Sequence, residues 1–530
     1  MKVLIADPLS DEGLAVLRDE QDIEYDVKTK RSEEEILKDI HEYDAVIVRS
    51  ETKITAAIID AGKNLKVIGR AGVGLDNVDV PAATRRGIIV MNVPGGNTIS
   101  TAEHTMSLLL SMNRNIPQAF NAMKDPNTKV DRKKFTGAEL NHKKLGVIGL
   151  GRIGMEVSKR AEAFGMEILG YDPYCSAEKA ESAGIRLCDL ETIYKESDYI
   201  TVHVPMTKET KGLIGAKEFA MMKKGVRVVN CARGGIYEEG ALFDALKSGQ
   251  VAAAAFDVFE SEPPSPNHPL MTLSNFICTP HLGAATAEAQ VQVAVDMAHQ
   301  IIDALKGRMV RNACNIPAMD PEVLTRISPY LSLAEKLGRF AAQIVEGRVE
   351  EMHIRYCGDV ATYHVAPISI AVLKGFLEPV LQDSINFVNA PYIAKERGIR
   401  VVESKSSETE DYATLISLHV KVNGVERIVA GTLFGKHDCR IVRIDEYRLD
   451  CIPSGYILVV KNVDVPGIIG NIGSYLAKQA INIAGMALGR LEKGGQALTA
   501  LNIDESLTKS QLDELRGYPN ITDARVVDLD

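Results

Sequence analysis

The chain has 530 residues, of which 45% are hydrophobic and 25% are charged, and this balance is ordinary for globular proteins. At about 150 residues per domain, the length predicts three or four domains rather than a single core. The formal net charge of -10 at pH 7 disfavours non-specific binding to a polyanion, so we expect no nucleic-acid partner.

Cysteine usage and the length of apolar runs exclude further classes. The eight cysteines contain no C-x-x-C pair, which disfavours a disulfide framework or a zinc site, so we expect no metal. The apolar start at residues 3–6 is too short for a signal-peptide core, and no run approaches the ~18 residues of a membrane span. We therefore predict a cytoplasmic protein that does not bind a membrane.

The first part of the chain alternates short apolar runs with helical patterns, which is typical of a doubly wound α/β unit. Its clearest predicted strands are residues 3–6, 45–48, 67–69 and 88–91. This unit ends at about residue 97, before the next group of strands begins. A predicted helix over residues 98–113 then leads into a polar loop and a second unit.

The second unit opens with an apolar run at 144–148 and the sequence Gly149-x-Gly151-x-x-Gly154. Glycines in such a turn let the backbone approach a pyrophosphate at the start of the following helix. A tight turn without a ligand is the plainer interpretation, but a second strand and then Asp172 follow at nearly the expected spacing. A carboxylate there accepts the ribose hydroxyls and repels a 2′-phosphate, so we predict an NAD site.

Three ionisable side chains follow later predicted strands of the same unit: Arg233, Glu262 and His281. Ligands bind beyond the carboxyl ends of parallel strands, so these side chains face the predicted cofactor. Hydride removal from a secondary alcohol needs a base, which His281 supplies, and Glu262 would orient it and raise its pKa. Arg233 would hold a neighbouring carboxylate. Taken singly, His281 and Glu262 are more simply a surface ion pair and Arg233 a structural arginine. Their occurrence together, after three strands of one unit, favours catalysis.

The rest of the chain predicts two α+β units. A helical pattern over 286–305 has one apolar face and returns toward the first unit. Asn423-Gly424 between two apolar runs predicts a hairpin, and the polar run 403–411 is interpreted as an exposed loop. The end of the chain reads βαββαβ, a ferredoxin-like order. We place the domain boundaries at 1–97 together with 285–312, 98–284, 315–451 and 454–530.

The chain resembles the D-isomer-specific 2-hydroxyacid dehydrogenases over residues 1 to about 310. The resemblance rests on the blocks at 149–154, 230–235, 257–259 and 280–283. It implies a flavodoxin-like substrate domain, a Rossmann nucleotide-binding domain, and catalysis by Arg233, Glu262 and His281. With the glycine turn, it also implies an NAD site formed by Val73, Gly149, Gly151, Arg152, Ile153, Gly154, Asp172, Val204, Cys231, Ala232, Arg233, Asp257, His281, Gly283 and Ala284. At Val73, relatives often have threonine.

With its two added C-terminal domains, the whole chain resembles the long-form branch of that family. The resemblance implies NAD-dependent oxidation of 3-phospho-D-glycerate, the first step of serine biosynthesis. The phosphate of that substrate needs further cations, and we predict that Arg49 and Arg70 bind it, because both lie in loops of the first unit that should face the cofactor; solvated surface arginines are the plainer interpretation. Asn97 is a third predicted substrate-binding residue, which could donate to the carboxylate or the hydroxyl.

The resemblance also implies an intervening domain and a terminal ACT domain, an amino-acid-sensing module that pairs with a copy of itself. A possible L-serine effector would be held by Asp464 and Asn482, and we expect a homotetramer or homodimer.

Other interpretations stay open from sequence alone. The enzyme could act on an unphosphorylated acid, as a hydroxypyruvate or glyoxylate reductase of the same family. It could also be a non-catalytic, NAD-responsive binding protein, or one in which amino-acid sensing comes first. Two histidines receive no catalytic role: His104 is interpreted as a satisfied packing residue, and His203 as a neighbour of NAD.

Overall fold

The computed structural model describes residues 1–125, 130–308, 310, 312–317, 321–381, 385–408 and 411–529, without the side chains of residues 321 and 322. Its strands form four sheets in succession along the chain. Within the described residues, no helix combines the length and the apolar character needed to cross a bilayer.

The first sheet has five parallel strands in the order β2-β1-β3-β4-β5, the flavodoxin-like order predicted from the sequence. Its inner strands are almost wholly buried, which is why their apolar runs predicted them correctly. The edge strand β2 was not predicted, because half of its residues are exposed and two are acidic. The elements are β1 (Lys2–Ile5), α1 (Asp11–Arg18), β2 (Glu24–Val27), α2 (Glu33–Leu37), β3 (Ala45–Val48), α3 (Ala56–Ala61), β4 (Val67–Arg70), α4 (Val80–Arg85) and β5 (Ile89–Met91).

The second sheet has seven parallel strands in the order β12-β11-β10-β9-β6-β7-β8, a Rossmann order extended at one edge. Two helices precede it, α5 (Thr98–Asn113) and α6 (Ile116–Lys124). The elements of this unit are β6 (Lys144–Ile148), α7 (Arg152–Ala163), β7 (Glu167–Tyr171), α8 (Ala177–Ser182), β8 (Ile185–Leu187), α9 (Leu190–Glu196), β9 (Tyr199–Val202), α10 (Ala216–Met221), β10 (Val226–Asn230), α11 (Glu239–Ser248), β11 (Val251–Phe256) and β12 (Phe276–Cys278).

Two long helices connect the first two sheets. Helix α5 packs on the second sheet, where Met106 and Leu109 share a core with Val147. Helix α12 (Ala287–Leu305) returns to the first sheet and buries Met297 and Ile301 against its strands. The chain therefore passes between the first two units twice, each time through a long helix. The domain boundaries themselves stay a prediction.

The third sheet has six strands in the order β14-β13-β15-β16-β17-β18. Asn423 and Gly424 both have positive φ and form the predicted hairpin between β15 and β16. The predicted loop at 403–411 is wrong over its first residues, because 403–406 belong to β14, which pairs with β13; residues 409 and 410 lie outside the described residues. The elements are α13 (Pro321–Ile344), β13 (Val349–Gly358), α14 (Ala366–Leu377), α15 (Ala390–Glu396), β14 (Arg400–Ser406), β15 (Thr414–Val422), β16 (Val425–Phe434), β17 (Asp438–Ile444) and β18 (Tyr447–Cys451).

The fourth sheet confirms the predicted βαββαβ order. Its four antiparallel strands lie in the order β20-β21-β19-β22, and its elements are β19 (Tyr456–Val463), α16 (Ile468–Lys478), β20 (Ile483–Arg490), β21 (Gln496–Ile503), α17 (Lys509–Arg516) and β22 (Ile521–Asp528). One face packs on α16 and α17. The other face buries Val459 and Ala500 in the same core as Leu337 of α13, so the last two units share one hydrophobic core.

Candidate functional site

The glycine turn between β6 and α7 is shaped to receive a phosphate group. Gly149 has a φ of 96°, which favours glycine, and a Cβ on Gly154 would lie 1.9 Å from the Gly149 carbonyl oxygen. A Cβ on Gly151 would meet no atom within 4 Å, so the space before the helix is open. No side chain caps the first turn of α7, whose N–H groups therefore face that space. These features fit the pyrophosphate of NAD.

Asp172 follows β7 and ties the glycine turn to the next loop. Its Oδ2 accepts a hydrogen bond from Leu150 N at 2.8 Å, and its Oδ1 accepts one from Tyr174 N at 2.8 Å. The carboxylate thus stands beside the turn, where a ribose would lie. Tyr174 was missed in the sequence; it is 96% exposed, and its ring is available to stack on a base. An aromatic residue two positions after the acidic residue was the available signal.

The other predicted cofactor residues lie at the start of α7, in loops after β9, β10 and β12, and in a loop of the first unit. The first group includes Arg152 and Ile153, the second Val204, Cys231, Ala232, Gly283 and Ala284, and the third Val73. Burial raises the pKa of the Cys231 thiol to about 12, so this side chain is a protonated packing residue. The His203 imidazole beside them is neutral, because burial lowers its pKa to about 4.

His281 and Glu262 form a close pair at the edge of the cleft, the space where loops after the strands of the first sheet meet loops after the strands of the second. Nδ1 of His281 lies 2.6 Å from Oε2 of Glu262, and the other carboxylate oxygen accepts a hydrogen bond from Phe259 N at 3.1 Å. The hydrogen bond to Glu262 raises the pKa of His281. Burial opposes ionisation of Glu262, but the hydrogen bonds from His281 and Phe259 outweigh it and lower the pKa of Glu262. The imidazole is therefore both oriented and made more basic.

Asp257, one of the predicted cofactor residues, holds the loop that carries His281. It is 1% exposed, and its carboxylate accepts hydrogen bonds from Leu282 N at 2.7 Å and Gly283 N at 2.8 Å. Its backbone oxygen accepts one from His281 N at 2.9 Å. These contacts occupy the side chain in holding the loop around His281. His104 also reaches this carboxylate, which the sequence analysis did not anticipate.

Three arginines from two sheets converge on the cleft. Arg49 directly follows β3, Arg70 ends β4, and Arg233 follows β10. A Cβ on Gly74 would lie 2.2 Å from Nη2 of Arg233, so this guanidinium of the second unit rests on a loop of the first. The three charges are close enough that Arg233 and Arg49 both act on Arg70.

The charge of this cluster is only partly balanced. Burial, followed by the charge of Arg233, lowers the pKa of Arg70 to about 10, and Nε of Arg70 is buried without a hydrogen-bond partner among the described residues. Asp76 lies 3.4 Å from Nε of Arg233, and Asp7 is used by backbone N–H groups of Arg49 and Thr52. Positive charge therefore exceeds negative charge here, and an anion would stabilise the cluster.

Asn97 lies at the start of α5, directly before its first residue. Its side chain does not cap the helix, and its Oδ1 is buried without a hydrogen-bond partner in the described part of the chain. The amide oxygen is therefore free to accept a hydrogen bond from a ligand. Among the described residues, no group of three or more His, Cys, Asp or Glu side chains is arranged to hold a metal ion.

The two predicted effector residues lie far from each other within one chain. Asp464 accepts hydrogen bonds from Nη1 of Arg490 at 3.0 Å and from Gly494 N at 3.3 Å. Asn482 donates to Asp504 at 2.9 Å, at the opposite end of β20. Eight residues of strand at about 3.3 Å each separate the two ends by about 26 Å. A site that uses both residues would need two chains.

Comparison with known proteins agrees with the predicted NAD site and with the added C-terminal domains. Residues 106–283 match the family model for the D-isomer specific 2-hydroxyacid dehydrogenase, NAD binding domain, and residues 326–445 match the D-3-phosphoglycerate dehydrogenase intervening domain. The chain is 47% identical to the D-3-phosphoglycerate dehydrogenase of Archaeoglobus fulgidus, over 100% of both chains. It is 42% identical to that of Bacillus subtilis, over 100% of this chain and 99% of the relative.

Solved structures resemble the first two units. The apo-structure of D-lactate dehydrogenase from Escherichia coli matches with a TM-score of 0.53 and 28% identity, covering 59% of this chain and 100% of that one. D-Lactate dehydrogenase from Aquifex aeolicus, complexed with NAD and lactic acid, matches at 0.52 and 27%, covering 58% and 96%. The chain therefore belongs to the D-3-phosphoglycerate dehydrogenases, NAD-dependent oxidoreductases of the D-isomer-specific 2-hydroxyacid dehydrogenase family.

Proposed function

We propose that the protein oxidises 3-phospho-D-glycerate at C2 to 3-phosphooxypyruvate, reversibly and with NAD. The curated relatives at 42–47% identity carry the name of this activity, which supports the proposal. The observation that carries it is Arg70, a cation whose buried Nε has no hydrogen-bond partner within the described chain and whose pKa is lowered by burial and by neighbouring arginines. A site for a substrate with a carboxylate and a phosphate needs such an excess of positive charge.

The acid/base role falls to His281. Because Nδ1 of His281 faces the Glu262 carboxylate, it carries a hydrogen, and Nε2 is left to exchange a proton with the substrate hydroxyl. Bound NAD supplies the acceptor for the hydride that leaves C2. Glu262 stabilises the imidazolium that forms during oxidation and fixes the plane of the ring. In the reverse direction, the protonated His281 returns its proton to the ketone oxygen.

Different arginines bind the two charged groups of the substrate. Arg233 is the one whose charge acts on His281, so it is placed to hold the carboxylate next to C2. Arg70 and Arg49, on the first sheet, are then left for the phosphate, and Asn97 can donate its amide to the carboxylate or the hydroxyl. A substrate that bridges both sheets would draw the cleft closed and exclude water.

The substrate assignment is tested by initial rates of NADH oxidation with four ketones at matched concentrations: 3-phosphooxypyruvate, hydroxypyruvate, glyoxylate and pyruvate. We expect kcat/KM for the phosphorylated ketone to exceed the others by about a hundredfold, because unphosphorylated ketones bring no anion to offset the charges of Arg49 and Arg70. Equal or higher values with an unphosphorylated acid would retain the hydride chemistry and discard this substrate.

Replacing Glu262 with Gln is predicted to move the pH profile. Ketone reduction needs protonated His281, so the rate falls as pH rises through the pKa of this histidine. The carboxylate of Glu262 raises that pKa. Its loss therefore moves the fall to lower pH, and poorer ring orientation lowers the plateau rate by about tenfold. The measurement is kcat/KM for reduction of 3-phosphooxypyruvate across pH.

Glu260→Gln is the matched control, since Glu260 lies in the same loop and its backbone N–H, which the substitution leaves in place, donates to the Glu239 carboxylate at 2.8 Å. Its profile should overlay that of the wild type. A Glu262→Gln profile that keeps the wild-type midpoint would show that the pair does not set the proton transfer.

We further propose that two copies of the chain associate through their terminal units and hold L-serine between Asp464 of one copy and Asn482 of the other. The distance between these residues within one chain supports a site across copies. The carboxylate suits the ammonium group of serine and the amide suits its carboxylate.

Calorimetric titration with L-serine tests this effector site. We expect heat with the wild type, and loss of that heat in Asp464→Ala because the ammonium loses its counter-charge. Glu492→Ala, which removes an exposed carboxylate from the adjacent hairpin, should bind as the wild type does. Absence of heat with the wild type would leave assembly as the role of the terminal unit.

A further inference from the structure

Helix α5 reaches from the substrate side of the cleft to the loop that carries His281. It begins beside Asn97 and presents Thr101 and His104, three residues apart and thus on one face. The Thr101 hydroxyl donates to the Gly283 carbonyl oxygen at 3.1 Å. Nε2 of His104 lies 3.2 Å from Oδ1 of Asp257 and 3.0 Å from Oγ1 of Thr279. One helix therefore touches the His281 loop at two points.

The hydrogen-bond pattern defines what His104 does. The Thr279 hydroxyl donates its hydrogen to Asp257 Oδ1 at 2.5 Å. Its oxygen can therefore only accept a hydrogen bond from His104. The Asp257 carboxylate has no hydrogen to give. Both neighbours of Nε2 are consequently acceptors, and Nε2 of His104 carries the hydrogen. His104 thus acts as a donor that closes a triangle with Asp257 and Thr279.

The hydrogen bond from His104 to Asp257 matters because Asp257 holds the loop that carries His281. It is buried, and it receives the N–H groups of Leu282 and Gly283. His281 itself has a φ of 56°, a left-handed conformation that costs on the order of 1 kcal/mol or more and persists only when its surroundings impose it. The contacts of Asp257 with this loop supply that constraint.

We propose that His104 is a positioning residue for the reaction: its donor group fixes Asp257 and Thr279, and through them the loop that presents His281 to the substrate. This rests on the proposed acid/base role of His281. Because α5 starts at Asn97, the same helix also links the substrate-contacting edge of the first unit to the placement of the proton-transferring group.

The test compares three variants of the full-length protein: His104→Leu, His104→Gln and Ser107→Ala. Leucine removes the donor, whereas the Gln amide can donate from nearly the same position. Ser107 is an exposed residue of the same helix whose hydroxyl donates to the backbone oxygen of Glu103, one turn earlier, so Ser107→Ala is the control. Measurements are steady-state kinetics with 3-phosphooxypyruvate and NADH, and amide hydrogen exchange of residues 279–285 without any ligand.

We expect His104→Leu to lower kcat about tenfold, since small displacements of a catalytic group are costly, while KM for NADH stays within about twofold. The Leu282 and Gly283 amides should exchange faster in this variant. His104→Gln should restore most of both properties, and Ser107→Ala should match the wild type.

Two results would overturn the proposal. One is a His104→Leu protein with wild-type kcat and wild-type exchange. The other is a His104→Gln protein as impaired as His104→Leu, with exchange raised throughout the molecule, which would indicate general packing only. Because exchange is measured without substrate, a failure of the substrate assignment would leave this arm of the test intact.

Discussion

Repulsion between cations from two different sheets is the constraint on which the cleft depends. Arg49 and Arg70 stand at the ends of neighbouring strands of the first sheet, and Arg233 follows a strand of the second. The pKa of Arg70, lowered to about 10 by burial and then by Arg233, records the cost of this arrangement. Such a cost is offset when an anion binds, so substrate binding and the approach of the two sheets favour each other.

The same geometry couples the proposed proton transfer to the proposed substrate binding. His281 lies between the carboxylate of Glu262, which raises its pKa, and Arg233, which lowers it. The pKa of the proposed proton-transferring group is thus set both by the residue that orients it and by the residue proposed to hold the substrate carboxylate. Both reach it from loops after strands of one parallel sheet, where such loops meet at a common edge.

Much of this could be predicted from the sequence, because buried parallel strands are short apolar runs and the functional loops follow them directly. The glycine turn, the three proposed catalytic residues and the ferredoxin-like order were all local signals. The last four residues of β14, 403–406, were predicted as part of a loop because all four are polar, as the strand lies at a sheet edge. The roles of Asp257 and His104 depend on contacts between elements 153 positions apart in the chain, which no local pattern contains.

The proposed binding of the substrate phosphate by the arginine cluster is tested most directly by calorimetric titration of 3-phospho-D-glycerate into the NADH complex. In that complex no hydride can leave the substrate, so only binding is measured. We predict that Arg70→Met weakens binding by about tenfold to a hundredfold, the worth of a charged hydrogen bond. Arg85→Met, at an exposed arginine of α4, should bind normally. Unchanged affinity in Arg70→Met would contradict this proposal.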